Sequence, residues 1–276
     1  RPRRRPGRRS NRRSNRRSNR HSNTEGASRE LAREIDTFVF FGTLGTIASA
    51  GLVQLSVIVA SRLGDAEAGV YSAASNLAIP LTLLSGALSL VLYPTMSEAF
   101  GRGDETAVRS QLDRGVRGLA LLVVPIVAVA ALFAPEVVRL LYGPGFAASA
   151  SVLVLLLFAV LVSMIAVPCV NATTSGHARG IVEMSAASIG GLAVAVLAWW
   201  VLLRAGTGVH GIALGYLAGV TTTGGYAFVR SWIVWRLRWG VPVLLPLLGA
   251  LAAMSAAVAW AGDSAWWVRL AIASTL

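Results

Sequence analysis

Seven stretches of about twenty mostly apolar residues, each long enough to cross a bilayer as a helix, constrain this chain more than any other feature. They fall at residues 37–60, 70–94, 118–134, 147–171, 181–203, 211–235 and 241–261; an eighth run, 265–276, is too short to cross. Composition agrees, with 55% of residues hydrophobic and 14% charged, whereas soluble chains run nearer a quarter charged. The expected fold class is an all-α integral membrane protein. Its parts are a basic tail over residues 1–36, a six-helix transmembrane bundle over 37–235, and an additional helix with a truncated eighth span over 236–276.

Net charge is concentrated at one end. Residues 1–36 hold 13 of the 25 basic residues and 4 of the 13 acidic ones, so the body is nearly neutral. Every basic residue is Arg, which together with the Ala, Gly and Val excess points to codon bias in a GC-rich genome. The tail repeats a tetrad from Arg8-Arg9-Ser10-Asn11 to Arg20-His21-Ser22-Asn23. Nothing in it can bury apolar area, so disorder is expected up to a short capped turn from Ser28 to Asp36. It reads either as a polybasic clamp on an anionic surface or as a plain solvated charge run. A basic globular nucleic-acid-binding domain is excluded, and nucleic acid is not an expected partner. A disulfide scaffold is excluded because Cys169 stands alone.

Arginine placement sets the expected orientation. With the tail in the cytosol, the inside connections and span ends carry Arg102, Arg109, Arg114, Arg117, Arg179, Arg230, Arg236 and Arg238, against Arg62, Arg139 and Arg204 outside. This predicts a multi-pass protein of the bacterial cell (inner) membrane with a cytoplasmic N-terminus. In the connection 101–117, Val108, Leu112 and Val116 share one helical face, while Arg109, Asp113 and Arg117 share another. It is expected to lie on the cytoplasmic face as an amphipathic helix capped by Asp104.

Within the spans, Gly211, Gly215 and Gly219 and, in the preceding span, Ala187, Gly191 and Ala195 recur every four residues, a small-residue pattern for close helix contact. Pro80, Pro125, Pro168 and Pro246 are candidate kinks. No span carries a charge near its centre, so polar side chains become the pointers to a cavity. The candidates are Gln54, Tyr71, Asn76, Asn171 and Tyr216, with Arg62 at the outer face for anionic head groups. Motifs for a cofactor, a metal or a catalytic triad are missing, so neither a cofactor nor an enzyme is expected.

Gly69-Val70-Tyr71-Ser72-Ala73-Ala74, Pro80, Gly86-Ala87-Leu88-Ser89 and Leu92-Tyr93-Pro94 resemble polysaccharide-biosynthesis flippases. These are the O-antigen and exopolysaccharide repeat-unit exporters of the multidrug/oligosaccharidyl-lipid/polysaccharide superfamily. The series continues through Arg109–Arg117, Leu140-Leu141-Tyr142-Gly143-Pro144-Gly145-Phe146 and Gly211-Ile212-Ala213-Leu214-Gly215. The resemblance implies two six-helix bundles facing a central cavity, of which this chain resembles the second, C-terminal half. It implies an undecaprenyl-diphosphate-linked glycan as substrate, moved to the outer leaflet by alternating access. The partners would then be the lipid bilayer, that glycan, and an N-terminal bundle or second subunit. Because the chain opens at Arg1 and stops inside an apolar run, it is expected to be a fragment or half-unit. The alternatives are a related multidrug or small-molecule exporter and a non-transporting membrane scaffold with a polybasic tail.

Overall fold

The computed structural model describes residues 10–176 and 178–236. The expected seventh span, the run 265–276, Pro246, Arg238 and His177 lie outside the described residues. Within them the chain is helical: α1 (Ser10–Ser61), α2 (Asp65–Gly101), α3 (Glu105–Leu132), α4 (Ala134–Tyr142), a single 3₁₀ turn (Pro144–Phe146), α5 (Ser149–Thr174), α6 (Ala178–Arg204) and α7 (Gly208–Trp235). Six segments are long and apolar enough to cross a membrane: Ile35–Ser61 of α1, α2, α3, α5, Arg179–Arg204 of α6, and α7. These match the first six runs read from hydropathy, and the chain is a multi-pass, all-α membrane bundle.

Two expectations change. Residues from Ser10 onward are helical and continuous with the first span, rather than a disordered tail ending in a capped turn. No proline interrupts residues 10–61, and arginine is a good helix former, so a helix fixed by the span can propagate back through the tail. The connection 101–117 is likewise no separate helix on the membrane face. Its apolar stripe, Val108, Leu112 and Val116, is fully buried, and these residues begin the long helix α3. The periodicity identified the right face, but the partner is the bundle rather than the lipid surface. Asp104 caps this helix as expected, its Oδ1 accepting from the Ala107 N–H at 3.0 Å. Arg117 pairs with Asp113 at 3.1 Å, whereas Arg109 turns away to donate to the Arg236 carbonyl at 3.2 Å.

Short turns join the spans except between α3 and α5, where α4 and the 3₁₀ turn intervene. Between α1 and α2 the reversal hinges on Gly64, whose φ of 137° suits glycine and few other residues. A tail-side end forms where the α2–α3 turn meets the end of α7, with the Phe100 and Trp235 rings 5.3 Å apart. At the distal end His210 and Ser151 tie α7 to α5 at 2.8 Å.

Helix α5 is the axle of the bundle: 18 of its 26 residues are buried. It packs against α2, α3 and α7, and Gly115 of α3 leaves just the room that the Pro168 ring occupies. The α6–α7 seam shows why its small residues recur. A Cβ at Gly191 would sit 2.6 Å from the Gly219 carbonyl, and one at Gly219 would sit 2.8 Å from the Gly191 carbonyl. Backbones this close exchange dispersion contacts that larger side chains would prevent, which is the main attraction left between helices in lipid. Trp199 closes the seam by donating from Nε1 to the Ile212 carbonyl at 2.8 Å. The outward faces are apolar, with Leu90 79% exposed on α2, as hydrocarbon solvation requires.

Candidate functional site

Where α1 and α2 lean on α5, α6 and α7 they leave a cavity of about 670 Å³. Its wall comes from the second half of the α1 span, the first half of α2, the middle of α5 and α7, and Ser188 of α6. Gln54, Tyr71, Asn76 and Tyr216 all line it. Tyr71 is 1% exposed and anchors the α2 wall, whereas Gln54 and Asn76 are exposed and make no side-chain hydrogen bond among the described residues. No charged side chain lines this cavity.

Two sequence candidates lie elsewhere. Asn171 is buried near the tail-side end of α5, where Nδ2 donates to Ser89 Oγ of α2 at 3.4 Å, an interhelical tie rather than a cavity group. Arg62 is exposed in the α1–α2 turn and does not line the cavity. The cavity also recruits Ser49, Thr82, Ser163 and Ser188, which were not singled out from sequence. Ser49 could have been: Gly45, Ser49 and Ser56 fall four and seven residues apart, one small polar face of a helix. Across it Ser49 Oγ meets Ser188 Oγ at 3.3 Å, joining α1 to α6.

At the tail-side end a second pocket of about 480 Å³ lies under the Phe100–Trp235 ring contact. Three of its charged groups, Arg179, Glu183 and Arg230, pair with one another. Glu183 accepts from Arg230 Nε at 2.7 Å and lies 3.4 Å from Arg179 Nε. Asp104, at its rim, is held below the ordinary carboxylate range by the Thr106 hydroxyl and the Ala107 N–H, both of which donate to it.

No curated protein and no solved structure matches the chain. A family model does, over the stretch that supplies α2, α3 and α4 whole and the membrane-crossing part of α1, and so two walls of the cavity, including Gln54, Tyr71 and Asn76. Residues 28–151 match the family described as polysaccharide biosynthesis protein, and the resemblance to polysaccharide-biosynthesis flippases read from the sequence stands on that match as well as on its own motifs.

Proposed function

We propose that the chain moves a lipid-linked oligosaccharide across the bacterial inner membrane, as a non-enzymatic transporter for cell-surface polysaccharide. The observation that carries this reading is the uncharged cavity between spans, whose largely apolar wall is studded with Gln54, Asn76 and several hydroxyls at a depth where polar groups need a wet or polar neighbour. Its volume lies in the ~300–1,000 Å³ range of ligand sites. The sugar would occupy this space while its prenyl tail stays among the lipids along the apolar face of α2.

The bundle is suited to moving as one body. Its α5 axle and close α6–α7 seam resist internal shear, so alternating access would come from rocking against an opposed bundle in the same or a second chain. The arginine distribution favours the tail-side end, with Arg102, Arg109, Arg114, Arg117, Arg179, Arg230 and Arg236, as the cytosolic one. Cys169 is buried, so cysteines introduced at Arg62 and Arg102 can report this orientation by labelling intact cells. Outside labelling at position 62 and protection at 102 is expected.

The functional test is complementation of an exporter-deficient strain with the full-length gene, comparing wild type with Gln54→Leu and Asn76→Leu. Loss of surface polysaccharide at normal protein level is the expected result. Unchanged polysaccharide in both variants would overturn transport through this cavity.

A further inference from the structure

Helix α3 turns Val108, Leu112 and Val116 into the bundle, and its outward face changes character along its length. Ser110, Arg114, Arg117, Gly118 and Leu121 recur three and four residues apart, so they stand above one another on one side of the helix. All five are exposed. Leu121 and Leu122, 67% and 52% exposed, begin the outward apolar stretch. At 1.5 Å per residue, Arg114 stands about 10 Å nearer the tail-side end than Leu121. A face that is cationic at the end of a span and apolar just beyond it has the profile of one lipid leaflet, head group and then chain.

The two arginines are held differently. Arg117 donates from Nε to Asp113 at 3.1 Å, which leaves that pair neutral. Arg114 reaches only uncharged acceptors, Nε donating to the Ser110 carbonyl at 3.3 Å and Nη2 to the Ser110 hydroxyl at 2.9 Å. Among the described residues no carboxylate pairs with Arg114. Its charge is therefore uncompensated, and Ser110, which accepts from it, keeps its own hydrogen to donate outward. Gly118 adds room: a Cβ there would meet nothing within 4 Å, so its missing side chain leaves a notch between the guanidinium and the leucines. One net positive charge with donors beside it matches a single phosphodiester on an otherwise uncharged head group. A zwitterionic head group would bring its ammonium against the arginines.

We propose that this face of α3 binds an anionic phospholipid of the tail-side leaflet. Arg114 and Ser110 hold the phosphate, Arg117 stands beside it, and the acyl chains lie along Leu121 and Leu122. Inorganic phosphate would gain nothing from the leucines, so the occupant is the lipid. Helix α3 supplies none of the cavity wall, and the proposal stands independently of the transport reading.

The test titrates the full-length chain in detergent with dioleoylphosphatidylglycerol or dioleoylphosphatidylcholine and counts bound lipid by native mass spectrometry. A first phosphatidylglycerol bound about tenfold more tightly than phosphatidylcholine is the expected result. Arg114→Gln should reduce that preference to about twofold or less. Gly118→Leu, which fills the notch from open space, should weaken it as well. Arg109→Gln removes the same charge from the same helix but at a side chain turned toward the Arg236 carbonyl, and should leave the preference intact. Equal binding of the two lipids, or an unchanged preference in Arg114→Gln or Gly118→Leu, would overturn the site. So would an equal loss in Arg109→Gln, which would mean that net charge alone attracts the lipid. Displacement of phosphatidylglycerol by millimolar inorganic phosphate would overturn the lipid as occupant in favour of a soluble anion.

Discussion

Helices α5 and α2 are both long, apolar and pressed together, yet they do opposite things. Helix α5 buries 18 of its 26 residues, α2 only six of 37. Along α5 the burial runs around the whole circumference. On α2 it is confined to a few small residues and to Tyr71 and Met96, and much of the remaining surface divides between a leucine-rich face and the polar strip Ser72, Ser75 and Asn76. Lipid gives no reason to bury an apolar helix, so burial in a bundle records protein–protein packing alone. A thinly buried span that carries an amide and two serines on one strip has polar groups left for what lies beside it.

The sharpest way to break this contrast is to exchange the penalties. Gly191→Leu forces side-chain atoms into the Gly219 carbonyl and the Thr223 hydroxyl. It should cost about 3 kcal/mol or more by overpacking, read as a collapse of the thermal transition in detergent and of folded yield. Asn76→Leu should leave that transition within about 0.5 kcal/mol while abolishing the proposed activity. If Asn76→Leu destabilised as much as Gly191→Leu, the α2 polar strip would belong to the packing after all.

A milder version compares truncations of one residue type. Leu157 of α5 is 1% exposed and Leu90 of α2 is 79% exposed. Leu157→Ala should cost about 2–4 kcal/mol through the void it leaves. Leu90→Ala should cost less than about 0.5 kcal/mol, since lipid chains fill the space.

The two helices also differ in how far their roles were legible in the sequence. Span depth follows from hydropathy, because a membrane imposes one length scale on every crossing, and all six described spans were placed that way. The azimuth of a side chain is set by neighbours the local sequence does not name. Gln54, Tyr71, Asn76 and Tyr216 converge on one cavity, whereas Asn171, polar like them but near the tail-side end of α5, faces Ser89. Val108, Leu112 and Val116 showed a clean apolar stripe whose partner was read as lipid and is protein. Glycine spacing was a better guide, because a Cα without a side chain restricts what can approach it. The Gly191–Gly219 seam follows directly from that spacing.

Hydrogen bonds within the buried set should matter less than its shape. Trp199→Phe keeps the ring over Gly215 but removes the Nε1 bond to the Ile212 carbonyl. A loss of about 1 kcal/mol is expected, smaller than for either packing substitution in the core. The thermal transition checks it; a loss equal to that of Leu157→Ala would mean the indole nitrogen, rather than close approach, closes the α6–α7 seam.

The smallest expected effect lies outside both helices, at the fully exposed cap of α3, and it has a definite sign. Asp104 accepts from Thr106 Oγ1 at 2.6 Å and from the Ala107 N–H at 3.0 Å, and these bonds favour the ionised form and depress its pKa. A carboxylate whose folded value is depressed contributes its full stabilisation above the ordinary carboxylate range, and loses it as pH falls through the lower, folded value. Protection of the Ala107 amide, measured as its exchange relative to the intrinsic rate, should therefore fall on acidification in the wild type. Asp104→Ser retains a capping oxygen but no titrating group, so its Ala107 exchange, corrected for intrinsic rate, should not change with pH. If the serine variant kept the wild-type acid sensitivity, the proton would be acting elsewhere at the tail-side end, with the Glu183–Arg230–Arg179 cluster beside the cap the next group to test.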